Sequence, residues 1–448
     1  VMRIIGLALF FISLPLFYSL MRGPAVNRRV GWFAIGLAPF IIGYLHLDVS
    51  IISWAFWPGY VKGMLVSLLD SLALAVLFTT RALPGGKVIF WAYLLFLVGS
   101  AVSILFSTPW MGSFFFTWQL ARAVLVFAAV SRVARQPEGV RQIIGGLSAG
   151  VAFQAVFSLF QRMEGVVQAS GTLGHQNLLG LATHFALLLS LATMLAGDRR
   201  WLPIIGVVGG TVAVVLTGSR ATIGLAGAGA IVLVILSMLR HRTPFKMRVA
   251  AIGLAVIFAG APVAYLTLEH RFQNEQDYGG YDERAAFERA ARAMWSDHPM
   301  GVGANQYVVK ANADGYSQRA GVIWNASSRS ANVHNVYLLF GAETGYLGLT
   351  SFIILLSTGI FSALRLAWVR PREENGDIAL GAAVTLIVVA LHCLYEWVFV
   401  ISIIQYLFAI VLGIVAGLAT QRRSVLRKRV SRPVVANTPR GAYPASIG

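Results

Sequence analysis

Four short polar blocks interrupt an otherwise apolar sequence, and their residue types suggest anion handling coupled to proton transfer. The first is Ser170-Gly-Thr-Leu-Gly-His-Gln-Asn177, with His175 and Asn177 at the start of an apolar run. The second, Leu216-Thr-Gly-Ser-Arg-Ala-Thr222, carries Arg220. A third runs from Arg284 through Asp297-His-Pro-Met-Gly-Val-Gly303 to Tyr307 and includes Arg292. The fourth is Asn332-Val-His-Asn-Val-Tyr337, followed by Ala342-Glu-Thr-Gly-Tyr-Leu-Gly348. Guanidinium groups at 220, 284 and 292 offer forked donors that match phosphate oxygens. His334 is the candidate general base, expected in the first turn of a helix whose positive end favours the neutral imidazole. Asn335 and Tyr337 flank it, with Tyr337 at i+3 on the same face. Glu343, at i+9, points to the opposite side and is a poor orienting partner.

Each block also has a plainer reading. His175 and Asn177 suit helix caps, and Arg220 could snorkel to headgroup phosphates. Arg284, Glu288 and Arg292 have the i, i+4, i+8 spacing of surface pairing. Asp70 and Arg122 fall inside apolar runs, where ionisable residues are functional candidates by default. Gly146-Leu-Ser-Ala-Gly150 spells a nucleophile-elbow pattern, but inside an apolar run it reads as small-residue helix packing. The Gly301-Val-Gly303 run lacks a preceding strand, which makes dinucleotide binding a poor reading. No paired-aspartate motif, clustered His/Cys set or P-loop occurs, so no metal or other cofactor is expected. Arginines would then neutralise the charge that develops on a leaving group.

The elements that position these residues follow from composition. Of 448 residues 57% are hydrophobic and 12% charged, and the mean hydropathy is +0.72. Soluble proteins carry roughly a quarter charged residues, so a water-soluble globule is excluded. The single cysteine, Cys393, excludes an intramolecular disulfide. The net charge of +18 would suggest nucleic acid in a soluble protein; here it reflects membrane topology, and no nucleic-acid partner is expected. No cleavable leader is expected at the apolar start.

Runs of about 17–25 apolar residues are long enough to span a bilayer. They lie near 4–20, 31–47, 62–80, 88–106, 110–131, 142–160, 178–196, 202–218, 222–239, 249–267, 335–364, 378–395 and 398–420. The boundaries are least marked at the N-terminus and at the join around Glu396–Trp397. The expected class is an all-α polytopic membrane protein of about 12–13 transmembrane helices, since open sheet edges do not survive in lipid. Gaps rich in Arg and Lys, such as those holding Arg22, Arg81, Arg132, Arg199, Arg240 and Arg365, alternate with gaps poor in them. By the positive-inside rule the basic gaps and the tail face the cytoplasm, and the four polar blocks face outward.

The expected organisation is helices over 1–268, a large outer loop over 269–333, helices over 334–420 and a basic tail over 421–448. The loop holds eight of the 18 acidic residues and reads as folded. Asp282 is a candidate N-cap, His298-Pro299 a stop, and Phe287, Ala291, Met294 and Trp295 the stripe of an amphipathic helix over the membrane's outer face.

In these four blocks the chain resembles the bacterial O-antigen ligase and polymerase superfamily, most of all the O-antigen ligases, over roughly residues 165–350. The resemblance implies a GT-C-like glycosyltransferase of the inner membrane with its site facing the periplasm. It also implies an undecaprenyl-diphosphate-linked glycan donor and a lipid A–core acceptor hydroxyl. His334 matches the family's catalytic histidine, Arg284 its loop arginine and Arg220 its arginine after a Gly-Ser turn; His175 and Asn177 fall in a more variable block. The alternatives are an O-antigen polymerase, a protein O-oligosaccharyltransferase and, from another class, a lipid-linked-glycan transporter. Absence of a second large loop disfavours the polymerase, and the short basic tail the protein transferase. The transporter is disfavoured because no repeat is evident and the polar residues sit at one face.

Overall fold

The computed structural model describes residues 2–81, 86–136, 138–255, 282–369 and 374–430. In chain order these form α1 (Met2–Arg22), α2 (Ala25–Ile41), the hairpin β1 (Asp48–Ser53) and β2 (Gly63–Ser67), α3 (Leu68–Thr79), α4 (Lys87–Val102) and α5 (Trp110–Val133). Next come α6 (Gly139–Met163), α7 (Gln176–Leu195), α8 (Trp201–Leu216), α9 (Arg220–Arg240) and α10, described over 244–255. The chain closes with α11 (Glu283–Asp297), α12 (Tyr307–Ala313), α13 (Tyr316–Arg319), α14 (Ala326–Arg329), α15 (Val336–Val369), α16 (Glu374–His392) and α17 (Ser402–Val430).

Among the described residues nine helices are long and apolar enough to cross a membrane, and α3 and α8 are shorter apolar helices. The chain is an all-α polytopic membrane protein, as its composition requires. Backbone groups in lipid must be satisfied within their own segment, and the helix does this. Two expected spans are corrected. The run over 31–47 stops at Ile41, and the run over 62–80 begins as strand β2. The Pro58-Gly59 break and the alternating Val49-Ser50-Ile51 pattern suit a turn and a strand better than a continuous helix. The antiparallel hairpin pairs Asp48 with Ser67 and Ser53 with Gly63. The last apolar span ends at Thr420, as expected, and α17 continues as helix beyond it to Val430. Most of the expected 249–267 span and the first part of the outer loop lie outside the described residues.

Small residues let helices approach closely. A Cβ at Gly36 would strike the Ile143 carbonyl and one at Gly146 the Phe33 carbonyl, so α2 and α6 cross nearly backbone to backbone. Ser148 and Gly150 of the same run face Ser190 and Phe40; the elbow-like motif is packing.

The hairpin marks one end of the bundle. Gly6 of α1 lies against Val49, and Ser13 Oγ donates to Ser71 Oγ at 2.7 Å. Thus α1 and α3 leave the hairpin side by side. At the start of α5, Gly112 lies against Trp57 and Ser113 Oγ donates to the Ala304 carbonyl at 2.7 Å. The segment holding α11 to α14 therefore caps this same end. Asp282 caps α11, accepting from Ala285 N at 3.2 Å. The apolar stripe of α11, with Phe287, Ala291 and Met294 buried, packs on α15 rather than on lipid.

A break in α15 joins this cap to the bundle. Gly345 adopts φ 64° inside the helix, a conformation that costs glycine little and other residues more. The carbonyls freed there are taken up by the loop: Val302 N donates to Ala342 O at 3.0 Å and Gly303 N to Glu343 O at 2.8 Å. The Gly301–Gly303 run thus has a backbone-pairing role. Glu343, fully buried, accepts from Tyr60 Oη at 2.5 Å and from Tyr307 N at 2.9 Å. It binds hairpin loop, cap and α15 together, away from His334, as its helix spacing implied.

Candidate functional site

The starts of α7, α11 and α15 meet the loop between α16 and α17 at the capped end. His334 precedes the α15 helix, which begins at Val336 with Asn335 as its cap; Asn335 Oδ1 accepts from Tyr337 N at 3.0 Å and Leu338 N at 3.1 Å. This corrects the expectation that His334 lies in the first helical turn. An Asn cap satisfies N–H groups that the helix leaves open. Another of these, Val336 N, donates to Cys393 O at 2.8 Å. Tyr337 Oη donates to Ala390 O at 2.8 Å. Of these two residues, expected to touch substrate, Asn335 caps α15 and Tyr337 pins that helix to the end of α16.

That pinning sets His334 opposite Glu396. The imidazole Nδ1 is 3.2 Å from Glu396 Oε2. Arg284 Nη2 lies 3.3 Å from Oε1, and Asn177 Nδ2 donates to the same oxygen at 2.7 Å. The carboxylate is only 4% exposed, whereas His334 is 22% and Arg284 57% exposed. A buried acid is thus surrounded by donors that open toward solvent. Burial pushes the Glu396 carboxyl up, but the His334 hydrogen bond and the charges of His334, Arg284 and His392 outweigh it and hold the acid below its ordinary range. Its stabilising contribution is therefore present above the ordinary carboxylate value and is lost as pH falls through the depressed one.

An ionised carboxylate only accepts, so the 3.2 Å contact assigns the proton to His334 Nδ1. The ring's lone pair is then on Nε2, the nitrogen not engaged by the carboxylate. Phe287 of α11 flanks the imidazole with ring centroids 6.1 Å apart, which restricts its rotation.

His175 caps α7, its Nδ1 accepting from Asn177 N at 3.2 Å. Desolvation, assisted by the His334 charge, lowers the His175 imidazole below its ordinary value, against the opposing pull of Glu396. Arg220 opens α9 beside the same end of α7, since Thr222 packs on Gly180, one turn beyond Asn177. The positive ends of α7, α9, α11 and α15 gather around this region, a setting suited to an anion. Arg292 is not brought here: it is 64% exposed and lies 3.2 Å from Glu288 on the outer face of α11.

Sequence reasoning missed Glu396. The signal was present, a carboxylate at the break between two apolar runs, but only the fold reveals that His334 and Arg284 converge on it.

Together these features define a polytopic helical membrane protein with a His–Glu pair and arginines at one end of its bundle. Residues 205–353 match the family model described as O-antigen ligase. That stretch is similar to the domain of the O-antigen ligase/polymerase superfamily, whose members are glycosyltransferase-like enzymes of lipopolysaccharide biosynthesis. The match takes in Arg220, Arg284 and His334, while His175, Asn177 and Glu396 lie outside it. No curated protein sequence matches the chain.

Proposed function

We propose that the chain is an inverting glycosyltransferase of the O-antigen ligase type, working at the periplasmic face of the inner membrane. It moves a glycan from undecaprenyl diphosphate to a sugar hydroxyl of lipid A–core. The observation that carries this reading is the His334–Glu396 contact of 3.2 Å beside Arg284. The acceptor oxygen attacks the anomeric carbon while its proton passes to His334 Nε2. The bond from that carbon to the diphosphate oxygen breaks, and its electrons leave with the prenyl diphosphate. Arg284 and Arg220 hold the developing negative charge, and Glu396 stabilises the imidazolium until water removes the proton. One displacement inverts the anomeric configuration. Diphosphate is a good leaving group, so positioning and charge stabilisation do most of the work, without need of a divalent ion. Arg292 joins only if α11 shifts when donor binds.

The test uses purified protein, a defined polyprenyl-diphosphate glycan, and three separate acceptors: lipid A–core, a second lipid-linked glycan and a peptide. Extension of lipid A–core supports the ligase reading; extension of either other acceptor replaces it with the polymerase or the protein transferase. His334→Ala should reduce transfer by about 10²–10⁴-fold, the usual contribution of a general base, with donor still bound. Full transfer by that folded variant removes His334 from the mechanism, and a strict need for an added metal ion removes the arginine-based one.

A further inference from the structure

A second basic site lies at the opposite end of the bundle. A cavity of about 410 Å³ opens there between the ends of α1, α3 and α5, lined by Tyr18, Arg22, Leu77, Phe78, Thr79, Thr80, Arg81 and Arg132. Three guanidinium groups face it and no carboxylate does. Its volume falls within the roughly 300–1,000 Å³ of typical ligand pockets.

The arginines are set in different ways. Arg132 Nη1 donates to the Leu77 carbonyl and, at 2.8 Å, to the Thr80 carbonyl. It thereby covers the negative end of α3, which would otherwise repel an anion. Arg22 Nη1 lies 3.3 Å from Tyr18 Oη, with its guanidinium 5.5 Å from that ring's centroid. Arg81 is exposed at the rim. Among the described residues neither Arg22, Arg81 nor Arg132 has a carboxylate partner, unlike Arg122 or Arg240, which pair with Asp70 and Asp377.

An apolar track leads to the cavity. Ile4 and Phe11 stand fourteen and seven residues before Tyr18 and so share its face of α1; they are 73% and 63% exposed. Phe78, on the cavity wall, is 77% exposed. Charge at the helix ends with apolar surface running along the helices matches a ligand with an anionic head and an acyl tail.

We propose that this cavity binds the phosphodiester headgroup of an anionic membrane phospholipid, with an acyl chain along the Ile4–Phe11–Tyr18 face. Basic pockets between transmembrane helices recognise such headgroups because their fixed charge complements the phosphate. Binding requires only that these helices cross a bilayer, and is independent of glycan transfer at the other end.

The full-length protein is placed in nanodiscs of mixed phosphatidylglycerol and phosphatidylcholine, and retained lipids are counted by native mass spectrometry. The wild type should retain phosphatidylglycerol about tenfold over phosphatidylcholine. R22Q/R81Q should bring the ratio close to parity; both side chains are exposed, so the fold is spared. R29Q/R242Q removes two exposed arginines from the same end but outside the cavity, and should leave the preference intact. An unchanged ratio in R22Q/R81Q, or an equal fall in both variants, overturns the proposal. So does thermal stabilisation by inorganic phosphate as large as that by the lipid, which would make the free anion the ligand.

Discussion

Two carboxylates in this molecule, Asp70 and Glu396, gather similar donors with different consequences. Asp70 accepts from Arg122 Nε at 2.8 Å, from Ser67 N at 2.7 Å and from Tyr406 Oη at 2.9 Å. Arg122 and Asp70 are only 5% and 4% exposed, and the contacts join α3, α5 and α17. Every partner is enclosed, so the charge is fully occupied with holding helices. Glu396 is equally buried, yet Arg284 and His334 beside it reach solvent. A buried acid with buried partners is a staple, whereas the open partners of Glu396 leave their charged and titratable groups within reach of a ligand. The third such cluster, Asp377 with Arg240 at 2.5 Å and Lys246 at 2.9 Å, has all side chains enclosed and belongs with the staples.

The largest expected effect that tests this contrast is on stability at Asp70. Arg122→Met alone leaves a buried charge uncompensated and should lower stability by about 3–5 kcal/mol. Paired with Asp70→Asn, most of the loss should return. Thermal unfolding of detergent-solubilised protein measures both, and transfer per folded molecule should be unchanged; a selective loss of activity would make Asp70 part of the site.

At Glu396 the expectation reverses. Glu396→Gln leaves the packing but presents either tautomer to His334, and should lower kcat about 10²-fold with little change in donor KM. A drop in stability without a kcat effect would class Glu396 with Asp70. Smallest is the comparison within α11. Arg284→Gln should raise donor KM about tenfold, the scale of one charge-assisted hydrogen bond, whereas Arg292→Gln, at an exposed i,i+4 pair, should change it less than about twofold. Equal effects would show that α11 presents both arginines to the donor.

Much of this arrangement was legible in the amino-acid order. Long apolar runs compel helices in lipid, because no other open structure satisfies the backbone there. Asp282 and His298-Pro299 mark the ends of α11 by local chemistry, and the spacing of Glu343 from His334 already separated their directions. These are short-range properties that need no knowledge of neighbours. The hairpin at 48–67 was hidden because its apolar content matches that of a span, and only pairing along β1 and β2 distinguishes them. The roles of Asn335, Tyr337 and Arg292 were hidden for the same reason: whether a polar side chain caps, pins or faces water depends on what packs beside it. Above all, Glu396 is 62 residues from His334 and 112 from Arg284 along the chain. Such a meeting is decided only when α15, α16 and α17 pack, since side-chain chemistry acts over a few ångströms and residue order carries no distance of that kind.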